Sequence, residues 1–332
     1  MPMKQAIPGL LLDQEFQDIE SLNGLFGWDL DWRQIEPGPL IFRLTAFGHA
    51  DISVMRVEFN RGFHQLGNPP PGAFTLGLPD IESGILKSNG ADVSPGTLIN
   101  FNYGNLLDFV NQGEFGGYVI SFSEPALRIA FADIGCKQKL VEGINQFRFW
   151  SPSSSEHEQL RQILHALKEV AASEGSDGLK RWKLVFNQDL PAITAGILSG
   201  KSHQAVLSAP RFQARALERA LHIMSDYDLM PASVKALSIL SGASWSTLER
   251  AFLNEFGIAP KAYMKTRRLA AVQSELIKQG SGATIHKVAN QWGFRHMGSF
   301  AADYKKQFGE LPSETLGRLA SAEPINSGLT EH

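Results

Sequence analysis

A chain of 332 residues exceeds one ordinary domain, and its mixture of 43% apolar and 20% charged residues is globular and excludes a disordered chain. Its single cysteine, Cys136, excludes an internal disulfide and a cysteine metal cluster. No stretch approaches the roughly 18 apolar residues of a membrane span.

The N-terminal MPMKQAIPGLLLDQEF has too short an apolar run for a signal peptide. A soluble, cytoplasmic protein with no membrane partner is therefore expected. The net charge of −3 argues against a nucleic-acid partner when taken whole, but it hides an asymmetry. Residues 1–209 carry a net −7, residues 210–320 a net +6 and the last twelve a net −2. A basic segment on an acidic body is the electrostatic footprint of one DNA-contacting domain.

Strand-like runs appear first: PLIFRLTAF (39–47), ISVMRVEF (52–59), AFTLGL (73–78), TLINFNY (97–103) and GYVISFS (117–123). Separators rich in Gly, Pro, Asn and Asp divide them, which predicts a small β-sandwich or barrel. Within it Trp28, Trp32, Arg56, His64 and Phe101 are candidates for an effector pocket and equally for core or rim. The period then lengthens. Leu160, Ile163, Leu164, Leu167 and Val170 predict an amphipathic helix over 155–172. A second helix is expected over 178–190, broken or kinked by Pro191.

Residues 199–210, SGKSHQAVLSAP, read as a linker between a domain over 1–198 and another over 211–318. AGILSGKS (195–202) fits a permissive P-loop pattern but lacks the strand before it and the helix after it that a phosphate cradle needs. The nine histidines show no paired ligand spacing, so no metal or cofactor is expected. Cys136 reads as a buried small residue.

Beyond Arg211 the pattern is helical to about 318, and the tail over 319–332 is expected to be disordered. Two similar units stand out. In PASVKALSILSGASWSTLERAFLNEFG (231–257), Ser233 caps a helix with Val234, Leu237 and Leu240 inward, and Gly242 supplies a turn. Ser244 or Ser246 caps a second helix, with Leu248 and Phe252 inward and Ser246, Thr247, Glu249 and Arg250 outward. The exposed N-terminal end of such a helix reaches base edges in a helix-turn-helix.

In the second unit (283–316), Thr284 caps a helix, Gly293 turns, and Phe300, Tyr304 and Phe308 face inward. Arg295, His296, Met297 and Ser299 occupy the exposed leading end of the following helix, with Lys305 and Lys306 placed for phosphates. Between the units, APKAYMKTRRLAAVQSELIK forms a spacer about 28 Å long, which suits successive major grooves about 34 Å apart. Its Lys265, Arg267 and Arg268 either contact phosphates or tie the units together.

The stretch 211–316 resembles the DNA-binding domain of the AraC/XylS family of transcriptional regulators, through SGASWSTLERAF, GIAPKAYMKTRRL, VANQWGF and FGELPSETL in order. RLAAVQSEL and WGFRHMGSFAADY look most similar to the subgroup containing the ethanolamine-operon activator. The sequence departs from the family at Ala302, where a basic residue is common, and at Glu314 and Thr315, which replace a Tyr-Arg pair.

The resemblance implies an α+β chain. Its N-terminal domain would be a cupin-like small barrel or sandwich with following helices, binding an effector and dimerising. Its C-terminal domain would carry two helix-turn-helix units. The implied function is a ligand-responsive activator with double-stranded DNA, a small-molecule effector, RNA polymerase and a second copy as partners. The alternatives are a barrel enzyme carrying a vestigial helical domain, or a regulator sensing a cyclic dinucleotide through Arg211, Arg215 and Arg219 at the domain junction.

Overall fold

The computed structural model describes residues 9–17, 24–49, 51–102, 106–136, 143–172, 175–200, 203–204, 212–225, 231 and 233–321. The first part is β-rich: β1 Gly9–Phe16, β2 Asp29–Gln34, β3 Phe42–His49, β4 Ile52–Phe59, β5 Phe63–Asn68, β6 Ala73–Pro79, β7 Ile85–Ser88, β8 Ala91–Asp92, β9 Leu98–Asn100, β10 Leu107–Gln112, β11 Phe115–Ser123 and β12 Phe149–Trp150. Four helical segments accompany them: α1 Glu124–Asp133, α2 Ser154–Ala172, α3 Gly175–Leu184 and α4 Leu190–Ser199. A last short strand, β13, covers His203–Gln204.

The strands form two sheets, not a closed barrel. The larger has the order β1-β3-β4-β11-β6-β9-β12-β13 and the smaller β2-β5-β10-β7-β8. All five runs expected from sequence belong to the larger sheet. Its centre is built on β-branched and aromatic residues, with Val54 and Leu76 both opposite Ile120 across antiparallel ladders. One face packs against the helices through Phe47, Phe122, Leu160, Leu164, Leu167, Trp182 and Phe186. The other face meets the small sheet across Leu44, Met55, Val57, Phe63 and Phe109.

The small sheet escapes a sequence reading because its strands, such as DLDWRQ, FHQLGN and LDFVNQ, mix polar residues into both faces. Its outer face is not solvated: Arg33 and His64 are buried there.

Helix α2 matches the expected span. Pro191 does not break the helix. A π turn over Val185–Asp189 widens the backbone just before it, and the helix continues to Ser199. The widened turn absorbs the missing N–H and the ring's bulk. Phe186 stacks on Trp182 at 4.7 Å and holds this turn in the core.

Ala195, Ile197 and Leu198 of the P-loop-like run are buried on α4, which rules out a phosphate cradle there. The first residues of the expected linker also belong to the β-rich part. His203 and Gln204 pair with Trp150 and Phe149. Cys136 is half-buried, and its thiol donates to the Ser199 hydroxyl at 3.0 Å.

The remaining helices are α5 Phe212–Ser225, α6 Val234–Ser241, α7 Trp245–Phe256, α8 Pro260–Gln279, α9 Ile285–Gln291, α10 Met297–Phe308 and α11 Pro312–Ser321. They wrap two cores. One lies under α5–α8 around Leu237, Leu248, Phe252 and Tyr263, the other under α8–α11 around Val272, Val288, Phe300 and Tyr304. Helix α11 runs to Ser321, past the expected end at 318, and residues 322–332 lie outside the described residues. No described helix is long and apolar enough to cross a membrane.

Candidate nucleic-acid interface

Helix α6 starts where Ser233 accepts from the Ala236 N–H and stops at Gly242, whose φ of 64° is left-handed and strained for an L side chain. Val234 and Leu237 face inward as expected, but Leu240 is 60% exposed. The inward position one turn after Leu237 is Ser241, a small residue that lets neighbouring helices close in. Ser244, not Ser246, caps α7 by accepting from the Thr247 N–H. Ser246 and Arg250 are thereby exposed on its leading end, and Thr247 and Glu249 are half-exposed. Glu249 accepts from the Trp245 indole N–H at 3.1 Å, and the Arg250 Nε donates to the Ser246 carbonyl at 3.3 Å.

In the second unit Gly293 makes the turn with φ 86°, and Phe300, Tyr304 and Phe308 fill the core. Thr284 sits at the N-cap of α9 but makes no side-chain cap bond. Arg295, His296, Ser299, Lys305 and Lys306 are exposed, as is Ala302. Met297 is half-buried and packs against the second core. The departures at the C-terminal end have structural roles. Glu314 accepts from the Leu311 N–H ahead of α11, and buried Thr315 bonds the Tyr304 hydroxyl at 2.9 Å.

The spacer α8 has 20 residues, so it is about 30 Å long. Its three basic residues separate in role. Lys265 bridges to Asp303 on α10 at 2.7 Å, and Arg268 donates to the Pro231 carbonyl at 2.8 Å. Both tie elements of the domain together. Arg267 is fully buried, which corrects its expected place on a DNA-facing surface. Arg215 and Arg219 are exposed on α5, and Arg211 lies outside the described residues.

The outer face of the small sheet holds the C-terminal ends of both α7 and α10. Ile35 and Val110 enter the first core beside Phe256 and Tyr263. The Gln112 amide donates to the Glu255 carbonyl at 3.1 Å, at the C-terminal end of α7. Gln34 and Gln307 exchange amide-to-carbonyl bonds of 3.1 and 3.0 Å, at the C-terminal end of α10.

At the centre, the Tyr263 hydroxyl lies 2.6 Å from His64 Nδ1 and accepts from Arg33 at 3.1 Å. His64 Nε2 lies 2.9 Å from Asp108, and Arg33 is paired with Asp31. With Nε2–H donating to the Asp108 carboxylate, Nδ1 accepts from the tyrosine, so both ring nitrogens and the hydroxyl have partners. Burial first, with Asp108 adding to it, pushes the Tyr263 hydroxyl above its ordinary pKa, although both arginines oppose. Burial and then Asp108 likewise push Glu255 up to about 7.

His64 thus serves the junction between the two parts, not a pocket. Arg56 also points away from the inter-sheet space, to Asp80 at 2.6 Å and over the Tyr118 ring. Trp28, Trp32 and Phe101 do line that space. Sequence reasoning missed Arg33, Asp108, Glu255, Tyr263 and Gln307. The available signal was polar residues placed at strand period among apolar ones.

Residues 237–318 match the family model described as "Helix-turn-helix domain". This segment is a helix-turn-helix domain. The chain is 32% identical over 104 residues to the XylDLEGF operon transcriptional activator 3 of Pseudomonas putida, covering 31% of each chain. It is 28% identical over 128 residues to a probable thc operon regulatory protein of Rhodococcus erythropolis, covering 37% of this chain and 39% of that one. It therefore spans about a third of the length of these relatives. Among solved structures, the AraC-like transcriptional activator CuxR aligns over 84% of this chain and 99% of its own, at 14% identity and a TM-score of 0.39.

Proposed function

We propose that the chain is a DNA-binding transcription regulator of the AraC/XylS type, acting as a ligand-responsive activator in the cytoplasm. One observation carries this reading. Within a matched helix-turn-helix domain, two helices present exposed polar and basic leading ends, Ser246–Arg250 and Arg295–Ser299, while the β-rich part grips only their opposite ends.

Arg250 is the strongest base reader, since an arginine fork matches guanine O6 and N7. Lys305 and Lys306 supply phosphate contacts. The second unit, with Gly298 and Ala302 on its reading helix, contributes more grip than sequence. Double-stranded DNA, RNA polymerase and a second copy are its partners, and RLAAVQSEL and WGFRHMGSFAADY support the ethanolamine-operon activator subgroup. The junction offers a route for regulation, because a ligand that moves the small sheet moves a surface attached to both reading helices. Regulation then requires that the ligand prefer one arrangement of that junction.

The test is a gel shift of the full chain across salt, on duplexes it selects from a random pool. A regulator of this kind enriches one sequence and loses affinity steeply as salt rises. Recovery of no enriched sequence at any salt overturns the reading.

A further inference from the structure

We propose that the space between the two sheets is a binding site for a neutral, mainly apolar small molecule with one hydrogen-bond acceptor, of the ketone, ester or lactone class. The space is a concave, partly open cleft walled almost wholly by apolar side chains, the character of small-molecule sites. Its walls include Trp28, Trp32, Met55, Phe101 and Phe109, and no charged residue lines it among the described residues. The glycine at 77 keeps it shaped, since a Cβ there would lie 2.5 Å from the Phe101 ring.

Two residues that line this apolar space carry polar groups. Gln65 is buried in its wall. The Trp28 indole N–H is buried with no hydrogen-bond partner among the described residues. A buried donor left unpaired costs free energy that a ligand acceptor recovers. Among the described residues a carboxylate would meet no cation here, because Arg56 is paired with Asp80 on the far face and His64 faces Tyr263 of the helical part. Its desolvation would go uncompensated, so the ligand is neutral.

The site is also coupled. Leu30 and Trp32, Gln65, and Phe109 point into it from β2, β5 and β10, while Arg33, His64 and Asp108 on the same strands point into the junction. Successive side chains of a strand face opposite sides, so a ligand that shifts these strands shifts the Tyr263 contacts. This coupling, unlike the binding itself, rests on the proposed regulatory function.

The full chain is titrated with 2-nonanone and with nonanoate at pH 8, reading tryptophan quenching and melting temperature. The ketone is expected to bind at least tenfold tighter than the anion. Trp28→Phe, which keeps a ring but removes the donor, and Gln65→Leu, which removes the amide, should each weaken the ketone roughly fivefold or more. Nonanoate binding as tightly as the ketone at pH 8, or ketone affinity unmoved in both variants, overturns the site. Gel shifts with and without ketone separate the two proposals. A ketone that binds as described without changing DNA affinity leaves the site and removes the coupling; sequence-selective DNA binding with no ketone site leaves the regulator and removes the ligand class.

Discussion

Replacing Glu255 by glutamine tests whether the junction between the two parts carries a buried acid. Glu255 is 5% exposed at the end of α7, with Asp108, Asp92 and Lys87 of the small sheet nearest in charge. Burial, then Asp108, raises its pKa from 4.5 to about 7, while Lys87 opposes. Between those two pH values the folded protein holds a proton that the unfolded chain has released. Stability therefore falls as pH rises through this window, and the full cost stands above pH 7. A shift of that size corresponds to about 3 kcal/mol as an upper figure.

Glutamine keeps the shape and removes the charge. Glu255→Gln should melt with the wild type near pH 4.5 and above it at pH 8, by on the order of 5 °C. Thermal melts of both proteins from pH 4.5 to 8.5 give the comparison. Parallel curves over that range would refute a buried carboxyl at the junction.

Arg250→Ala should weaken binding to the selected duplex by about 1–3 kcal/mol, roughly 5- to 150-fold, with non-selected DNA affected far less; equal losses on both would make it a phosphate contact. Lys305→Gln and Lys306→Gln should each reduce the slope of log affinity against log salt by about 0.9, with the preferred sequence unchanged. Arg267→Met should alter the melting temperature while leaving that salt slope intact, because a buried guanidinium releases no counterion from DNA. A slope reduced by Arg267→Met would return this residue to the DNA surface.

Much of the helix-turn-helix domain was legible in the sequence because its signals are local. Ser233 and Ser244 cap, Gly242 and Gly293 turn, and Phe300, Tyr304 and Phe308 repeat at helical period, each within a few residues of its partner. The exposed ends of α7 and α10 follow from those same local rules. The larger sheet was legible for a similar reason, since its strands bury apolar residues at their centre.

The basic segment on an acidic body and the two units were therefore fixed by sequence alone. What lay beyond it depends on contacts between residues far apart in the chain. Arg33 and His64 meet Tyr263 across about 230 and 199 residues, and Gln34 meets Gln307 across 273. Polar strands become buried strands only when distant helices cover them, so DLDWRQ and FHQLGN do not read as core strands until α8 is in place. The same burial withdrew Arg267 from the DNA surface and His64 from the pocket. Charge and periodicity say that a residue is polar and which face it takes; only the tertiary structure decides whether that face meets water, DNA or another part of the chain.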